Sequence, residues 1–136
     1  MPPLLLDTHA AVWFADDELT AAASETLDDA ARAGVPTYLS PITAWEVGLL
    51  VSRNRMNLGM TPQRWFTRVL AMPNLHLAEL SPDILIAASF LPGAPPRDPM
   101  DRILIATARE LAATLVTRDR AIIAYGEQGH VSVMGC

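Results

Sequence analysis

The sequence contains no lysine, so all 10 cationic side chains among its 136 residues are arginines. Aspartate and glutamate together number 15, and the net charge is −5 at pH 7. A protein that holds nucleic acid through bulk electrostatics needs many Lys or Arg contacts to phosphate groups. The charge balance therefore argues against such a protein, although a local arginine patch could still contact phosphates.

Cysteine and long apolar runs are also scarce. The one cysteine, Cys136, can form neither a disulfide nor a thiolate metal site within the chain. Although 51% of the residues are hydrophobic, no apolar run reaches the roughly 18 residues of a membrane-spanning helix. The N-terminal apolar stretch reaches Asp7 too soon for a secretory signal. We therefore expect one domain over residues 1–136, in a cytoplasmic protein without a membrane segment.

Short apolar runs alternate with stretches of helical periodicity along the chain. The runs predict strands at 4–6, 36–39, 75–80, 114–117 and 130–134. Helices are predicted over about 8–15 and 20–32, and four more begin where proline follows an N-cap residue, at Ser40-Pro41, Thr61-Pro62, Ser81-Pro82 and Asp98-Pro99. Because parallel strands need crossover connections, this order predicts an α/β fold with a mostly parallel sheet of about five strands and helices on both faces.

Two acidic residues follow predicted strands. Asp7 comes directly after Leu4–Leu6, and Asp119 comes just after the run that ends at Thr117. In open α/β sheets, ligands bind beyond the carboxyl ends of the strands, so acids placed there favour a functional site. The hydroxyls of Thr8 and Thr117 could contribute to the same site.

Two further acids lie on strongly apolar helices. Glu46 lies in the second turn of the helix that begins at Pro41, where a buried, unpaired charge would be costly. Asp101 lies in the first turn of the helix that begins at Pro99, so its carboxylate points back toward the helix start. Both positions favour a binding role, and Asp98 belongs to the same segment as Asp101.

The four acids Asp7, Glu46, Asp101 and Asp119 come from distant parts of the chain. Carboxylates that converge repel one another, which raises their pKa values unless a cation supplies the missing charge. Ligation by oxygen alone suits Mg²⁺ or Mn²⁺, and Mg²⁺ typically keeps water or phosphate oxygens in its shell. The acids therefore predict a Mg²⁺ or Mn²⁺ site suited to phosphodiester hydrolysis, with Asp98 as a possible further ligand.

Other proteins with a parallel sheet and an acidic Mg²⁺ site are excluded by residues that this chain lacks. Response-regulator receivers and haloacid-dehalogenase-type phosphatases both need a lysine. The phosphatases also need Asp-x-Asp after the first strand, where this chain has Asp7-Thr8-His9. The absence of Gly-x-Gly-x-x-Gly and Gly-x-Ser-x-Gly argues against dinucleotide binding and serine hydrolysis.

The segments around the acids resemble the successive motifs of the PIN-domain nucleases. They are Leu-Leu-Leu-Asp-Thr-His at 4–9, Trp-Glu-Val at 45–47, Arg-Asp-Pro-Met-Asp-Arg-Ile-Leu-Ile-Ala-Thr-Ala at 97–108 and Leu-Val-Thr-Arg-Asp-Arg at 115–120. The resemblance runs nearly end to end and is greatest to the VapC-type toxins of bacterial type II toxin–antitoxin systems. It implies a PIN-like three-layer sandwich in which Asp7, Glu46, Asp101 and Asp119 are the catalytic, metal-binding acids.

This resemblance also implies the reaction and the partners. A metal-dependent endoribonuclease would use Mg²⁺ or Mn²⁺ to activate the water that hydrolyses an RNA phosphodiester bond, leaving a 5′-phosphate. The partners would be a VapB-type antitoxin, through which alone the protein would reach DNA, and a second copy of the chain in a homodimer. The alternative is a catalytically degenerate PIN-fold module that acts through protein binding alone.

For the acids near residues 98 and 119, a purely structural role at the start of a helix is the alternative to a role in the site. Asp98 could serve only as an N-cap, and Asp119 could likewise cap a last helix that runs through Ile122, Ile123 and Tyr125, because a short carboxylate there accepts a bond from the first turn. Asp101, at the third helical position, could complete a reciprocal capping arrangement. The four acids in order are more specific for a nuclease than any one of them.

Aromatic and basic side chains are less informative. Trp13, Trp45 and Trp65 lie in apolar helical stretches, so we expect core packing for all three. His9 could approach the site from the start of the first helix. The densest basic stretch is a candidate for phosphate contacts, with a solvated helix face as its alternative. Its members are Arg53, Arg55, Arg64 and Arg68.

Overall fold

The computed structural model describes residues 1–136, in which five strands and seven helices alternate. The strands are β1 (Leu4–Leu6), β2 (Thr37–Leu39), β3 (Leu75–Leu77), β4 (Thr114–Val116) and β5 (Ser132–Met134). The helices are α1 (Thr8–Ala15), α2 (Ala21–Arg32), α3 (Pro41–Ser52), α4 (Pro62–Leu70), α5 (Pro82–Ala87), α6 (Pro99–Leu111) and α7 (Arg120–Glu127). The predicted order of strands and helices is confirmed.

The five strands form one sheet in the order β3-β2-β1-β4-β5, and every neighbouring pair is parallel. In the central strand β1, Leu6 pairs with Leu39 on one side and with Val116 on the other. Parallel strands end at the same edge of a sheet. Asp7 and Thr117 therefore leave neighbouring strands side by side.

The sheet is covered by helices on both faces because successive side chains of a strand point in opposite directions. Leu4 and Leu6 pack against side chains of α1–α4, among them the buried Trp65. Leu5 packs on the opposite face against α6 and α7, where Ile122 is fully buried. Burying one such side chain contributes roughly 1.5–3 kcal/mol. The predicted α/β sandwich, with helices on both faces of a mostly parallel sheet, is confirmed.

The four predicted N-caps are also present. Ser40, Thr61, Ser81 and Asp98 each accept a hydrogen bond from a backbone N–H of the first turn, and each is followed by proline. A cap of this kind stabilises a helix by about 1 kcal/mol, and proline at the first helical position costs no hydrogen bond. The caps therefore fix where α3, α4, α5 and α6 begin.

Two strands are shorter than predicted by more than one residue. The strand β3 ends at Leu77 rather than at residue 80, because after one more bond, from Ala78 N to Leu39 O at 2.9 Å, the chain turns toward the cap of α5. The strand β5 begins at Ser132 rather than at residue 130. The preceding residues form a turn in which Gly129 has a φ of 88°.

The tryptophan prediction was wrong for one residue. Trp65 is buried as expected, and Trp13 is half-buried, but Trp45 is 59% exposed. Thr43 and Val47 face inward from α3 and are buried. Trp45 lies two residues from each of them, which places it on the opposite side of a helix with 3.6 residues per turn.

The proline-rich segment 91–97 is a loop bound to the neighbouring helices. The Tyr125 hydroxyl donates to the carbonyl of Pro92, and the Arg102 guanidinium donates to the carbonyl of Pro96 at 3.2 Å. These bonds anchor the segment that leads directly to Asp98. None of the helices has the length and apolar character needed to cross a bilayer.

Candidate active site

A cleft of about 380 Å³ opens at the carboxyl edge of the sheet. All four predicted site acids line it, together with Asp98. The complete lining is Asp7, Thr8, His9, Trp13, Glu46, Asp98, Asp101, Leu104, Arg118 and Asp119. Five carboxylates therefore face the same cleft. They come from α3, from α6 and from the residues that precede α1, α6 and α7.

A larger depression, of about 490 Å³, lies between the end of α6 and β5. Its lining includes Arg109 and His130 but no carboxylate. The smaller, acidic cleft is the better candidate for an active site, because groups that bind ions and move protons converge only there.

Asp7 is held in place by two hydrogen bonds. Its Oδ1 accepts from Ala10 N at 2.8 Å, which caps α1, and its Oδ2 accepts from the Thr117 hydroxyl. The Thr117 oxygen in turn accepts from Asp119 N at 2.9 Å. The neighbouring ends of β1 and β4 are thus joined through side chains, and the Asp7 carboxylate cannot rotate freely.

Burial is the main influence on Asp7, which is only 7% exposed. Burial raises the pKa of Asp7 above its ordinary value of 3.8, although the hydrogen bonds from Thr117 and Ala10 act in the opposite direction. The His9 charge also lowers this pKa, and the Glu46 charge raises it. A cation in the cleft would favour the ionised form.

The start of α6 contributes two acids with different surroundings. Asp98 Oδ1 accepts from Met100 N at 2.8 Å and from Asp101 N at 3.1 Å, so its capping role is confirmed. The Asp101 carboxylate accepts no hydrogen bond from the protein, so the reciprocal capping arrangement considered for it is absent. Asp98 caps the helix and also lines the cleft, whereas Asp101 faces the cleft without a partner.

Asp101 is the acid whose ionisation is most strongly disfavoured. Its pKa is raised to about 7, first by burial and then by the negative charges of Asp119, Asp98, Glu46 and Asp7. A half-buried carboxylate without a hydrogen-bond donor or a cationic partner is costly to ionise. The surrounding protein therefore leaves the charge of an ionised Asp101 uncompensated. A bound cation could supply the missing positive charge.

Glu46 and Asp119 complete the acidic wall. Glu46 is half-buried on α3, which is tied to α1 by a hydrogen bond of 3.4 Å between the hydroxyls of Thr8 and Thr43. Its carboxylate has no protein partner and lines the cleft. Asp119 is exposed and caps α7, because its Oδ1 accepts from Ile122 N at 3.0 Å. Asp119, like Asp98, combines a cap with a place in the cleft.

The donor set suits a hydrated divalent cation. All five acids offer oxygen, which Mg²⁺ and Mn²⁺ prefer, and burial together with neighbouring negative charges raises the pKa of Asp101. No three His, Cys, Asp or Glu side chains lie close enough together to enclose an ion. A cation here would therefore be held by only one or two carboxylates, with waters in the rest of its shell, as Mg²⁺ usually is.

Among the lining residues, Arg118 and Trp13 were not predicted as part of the site, whereas His9 was expected to be able to approach it. Arg118 lies immediately before Asp119, and its guanidinium carbon lies 3.7 Å from the centre of the Trp13 ring. His9 lies beside the same ring, with 5.7 Å between ring centres. The only sequence signal for Arg118 was its position between Thr117 and Asp119. The basic stretch at 53–68 does not line the cleft.

The PIN domain pattern matches residues 4–128. The chain belongs to the PIN-domain family. The motif resemblance drawn from the sequence is thereby confirmed, and the acids Asp7, Glu46, Asp98, Asp101 and Asp119 all lie within the matched part of this PIN domain.

A relative and two solved structures are similar to this PIN domain over their whole lengths. Ribonuclease VapC22 of Mycobacterium tuberculosis (strain ATCC 25618 / H37Rv) is 29% identical over 135 residues, which cover 98% of this chain and 99% of the relative. VapBC2 from Rickettsia felis, bound to a DNA fragment from its promoter, matches with a TM-score of 0.70 and 16% identity over 98% of both chains. DNA-bound VapBC from Salmonella typhimurium matches with a TM-score of 0.67 and 17% identity, over 99% of this chain and 98% of the other.

Proposed function

We propose that this PIN domain, over residues 1–136, is a metal-dependent endoribonuclease and the toxin of a toxin–antitoxin pair. The observation that carries the proposal is the convergence of five carboxylates in one cleft, where burial and then mutual repulsion raise the pKa of Asp101 to about 7. The likeness to Ribonuclease VapC22 over nearly the whole chain supports RNA as the substrate. We assign the catalytic and metal-binding roles to Asp7, Glu46, Asp101 and Asp119, with Asp98 as a further possible ligand.

The candidate metal-binding acids differ in how firmly the protein holds them. When bound, Mg²⁺ or Mn²⁺ supplies the positive charge that activates water and stabilises charge developing on the phosphate. Asp7, which is fixed by Thr117 and Ala10, would be a rigid ligand for the cation. Asp101 and Glu46 have no hydrogen-bond partners in the protein and would be adjustable ligands. Since water attacks in line and the ribose 3′-oxygen leaves, the expected product carries a 5′-phosphate.

The proposed partner is a VapB-type antitoxin. The neighbouring structures from Rickettsia felis and Salmonella typhimurium are described as VapBC assemblies bound to DNA, which supports a partner of this kind. The net charge of −5 disfavours direct binding of DNA, because a chain with this charge can neutralise few phosphates. We therefore propose that the protein reaches DNA only through the antitoxin.

A second copy of the chain is the proposed occupant of an exposed apolar surface. The helix α6 packs between α3 and α5. On its two sides Trp45 is 59% exposed, Ile86 59% and Phe90 81%. Large exposed apolar side chains mark an interaction surface when they form a contiguous patch, and we propose that these three lie in one such patch. A symmetric dimer would cover these residues on both copies.

Phe90→Glu should convert the dimer to a monomer. A charge placed at the centre of an apolar contact loses its hydration without a partner, so we expect at least a tenfold weaker association, about 1.4 kcal/mol. Light scattering after gel filtration measures the mass. Ala31→Glu, an exposed substitution on α2, is the matched control and should stay dimeric. A Phe90→Glu protein that remains a dimer would show that this surface is not the interface.

Cleavage of RNA by the purified chain tests the proposed function directly. We expect Mg²⁺ or Mn²⁺ to promote cleavage of single-stranded RNA, EDTA to stop it, and ligation of the products to reveal 5′-phosphate ends. Contamination by another nuclease is controlled by preparing Asp7→Asn protein in parallel. If the wild-type chain binds its antitoxin but cuts no RNA under any of these conditions, the degenerate protein-binding module becomes the better description.

A further inference from the structure

Arg118 is the only Lys or Arg residue that lines the acidic cleft. Five carboxylates share that lining, so the cleft as a whole repels a phosphate group. A cation in the cleft would offset this repulsion for the reacting phosphate. The phosphates on either side of the reacting one would lie beyond the direct reach of that cation. A fixed positive side chain at the wall would compensate for the repulsion of those phosphates.

Arg118 is held by main-chain groups. Its Nε donates to the main-chain oxygen of Cys136, the last residue of the sequence, at 2.7 Å, and its Nη2 donates to the carbonyl of Glu18 at 3.2 Å. One face of the guanidinium lies against the Trp13 ring at 3.7 Å. A guanidinium has five N–H donors, so three remain without an acceptor in the protein. The side chain is therefore oriented before any ligand arrives, yet most of its donors are available.

No side-chain carboxylate of the cleft forms an ion pair with Arg118. The ion pair of the structure joins Arg32 to Asp29 and lies on α2. Arg118 forms no ion pair with Asp119 or Glu46, although all three line the same cleft. An exposed arginine among carboxylates would ordinarily pair with one of them. Here the two main-chain oxygens and the tryptophan keep the guanidinium apart from the acids.

We propose that Arg118 is a substrate-binding residue that receives an RNA phosphate next to the scissile bond. This inference rests on the proposed function and adds a second, metal-independent contact to it. A planar guanidinium with free paired donors matches phosphate oxygens, which accept two parallel hydrogen bonds.

Arg118→Gln tests this role because glutamine can still donate to a main-chain carbonyl but carries no charge. Binding of a fluorescent 12-residue single-stranded RNA is measured by anisotropy in the inactive Asp101→Asn protein with Mg²⁺, over a range of salt concentrations. We expect about a tenfold higher Kd, and a salt dependence (the slope of log K against log salt) that falls by about 0.7, the value for one lost phosphate contact on a single strand. Arg118→Lys should restore the salt dependence but not the full affinity.

Arg109→Gln is the matched control. Arg109 is also exposed, donates to one main-chain carbonyl, that of His130, and forms no ion pair, but it lies outside the acidic cleft. Its substitution changes the net charge equally and should alter Kd less than twofold. Thermal melting establishes that each variant is folded.

The outcomes separate this inference from the proposed function. If the wild-type protein cuts RNA but Arg118→Gln binds with unchanged Kd and salt dependence, the role of Arg118 is overturned and the nuclease stands. Equal losses in Arg118→Gln and Arg109→Gln would also overturn it, because net charge alone would then explain the effect. If neither the wild-type nor the Asp101→Asn protein interacts with RNA, both proposals fail together.

Discussion

Asp101→Asn should lower the rate of RNA cleavage by about 100-fold or more, which is the usual effect of removing one group that stabilises charge in a transition state. The amide keeps the shape of the side chain but removes the charge that would hold the cation. Because the Asp101 carboxylate accepts no hydrogen bond from the protein, the fold does not depend on it. Cleavage is measured as single-turnover rates at saturating Mg²⁺, so that a change in binding does not hide a change in chemistry.

Asp83→Asn is the control for that loss. Asp83 lies in the first turn of α5, after another N-cap and proline, and is exposed outside the cleft. The Asp83→Asn variant also loses an acid from a helix start. Because that acid lies outside the cleft, the cleavage rate of this variant should stay within twofold of the wild-type rate. An Asp101→Asn protein that cleaves as fast as Asp83→Asn would remove Asp101 from the mechanism, and the assignment of the other three acids would need to be tested again.

Mg²⁺ should stabilise the protein much more at pH 8 than at pH 5. The pKa of Asp101 is about 7 in the folded protein and about 3.8 in the unfolded chain. Between these values the folded state holds a proton that the unfolded state has lost, so the free energy of unfolding falls as pH rises from about 4 to 7. The raised pKa of Asp7 acts in the same direction. Above pH 7 the cost is fully present, and a cation that binds the ionised carboxylates removes it.

The expected size of this effect follows from the shift in the pKa of Asp101. A shift of about three units corresponds to about 4 kcal/mol, and exposure of part of the side chain reduces the net effect to about 1–2 kcal/mol. In EDTA at pH 8, Asp101→Asn should therefore be more stable than the wild-type protein by this amount. At pH 5, where Asp101 is protonated, the two proteins should differ little.

Melting curves of the wild-type, Asp101→Asn and Asp83→Asn proteins, at pH 5 and 8 with Mg²⁺ or EDTA, measure this dependence. A shift of 1 kcal/mol corresponds to roughly 2–6 °C in Tm for a domain of this size. The wild-type and Asp83→Asn proteins should gain with Mg²⁺ at pH 8, and Asp101→Asn should gain less. An equal Mg²⁺ effect at both pH values, or in all three proteins, would contradict the electrostatic account of the cleft.

Local patterns were enough to place most of the fold. Each capped helix start depends on two adjacent residues, such as Ser40 and Pro41, whose preferences act within one turn. The three leucines of β1 indicated a strand buried on both faces, and the alternation with helices indicated a parallel sheet. The lengths of β3 and β5 were less well predicted, because the end of a strand depends on where its neighbour stops pairing.

The candidate acids were likewise found from their positions, but their surroundings were not. Asp7 was placed at the end of a strand, yet its bond from Thr117 joins residues 110 apart in sequence. The capping roles of Asp98 and Asp119 were proposed as alternatives to a place in the cleft, whereas both residues do both. A carboxylate has two oxygens, and only the tertiary structure shows which direction the second one faces.

Side chains that meet across the fold account for the remaining differences. The exposure of Trp45 depends on which face of α3 packs inward, and an apolar helix does not reveal that in its sequence. Arg118 has its place because Trp13, Glu18 and Cys136 come together from three separate segments. Residue types and spacing thus predicted the order of elements and the acids that line the cleft. Packing between distant segments decided how those acids are held, how strongly they repel one another and that the Arg118 guanidinium lies in the same cleft. These properties depend on burial and long-range contacts, which arise only when the chain is folded.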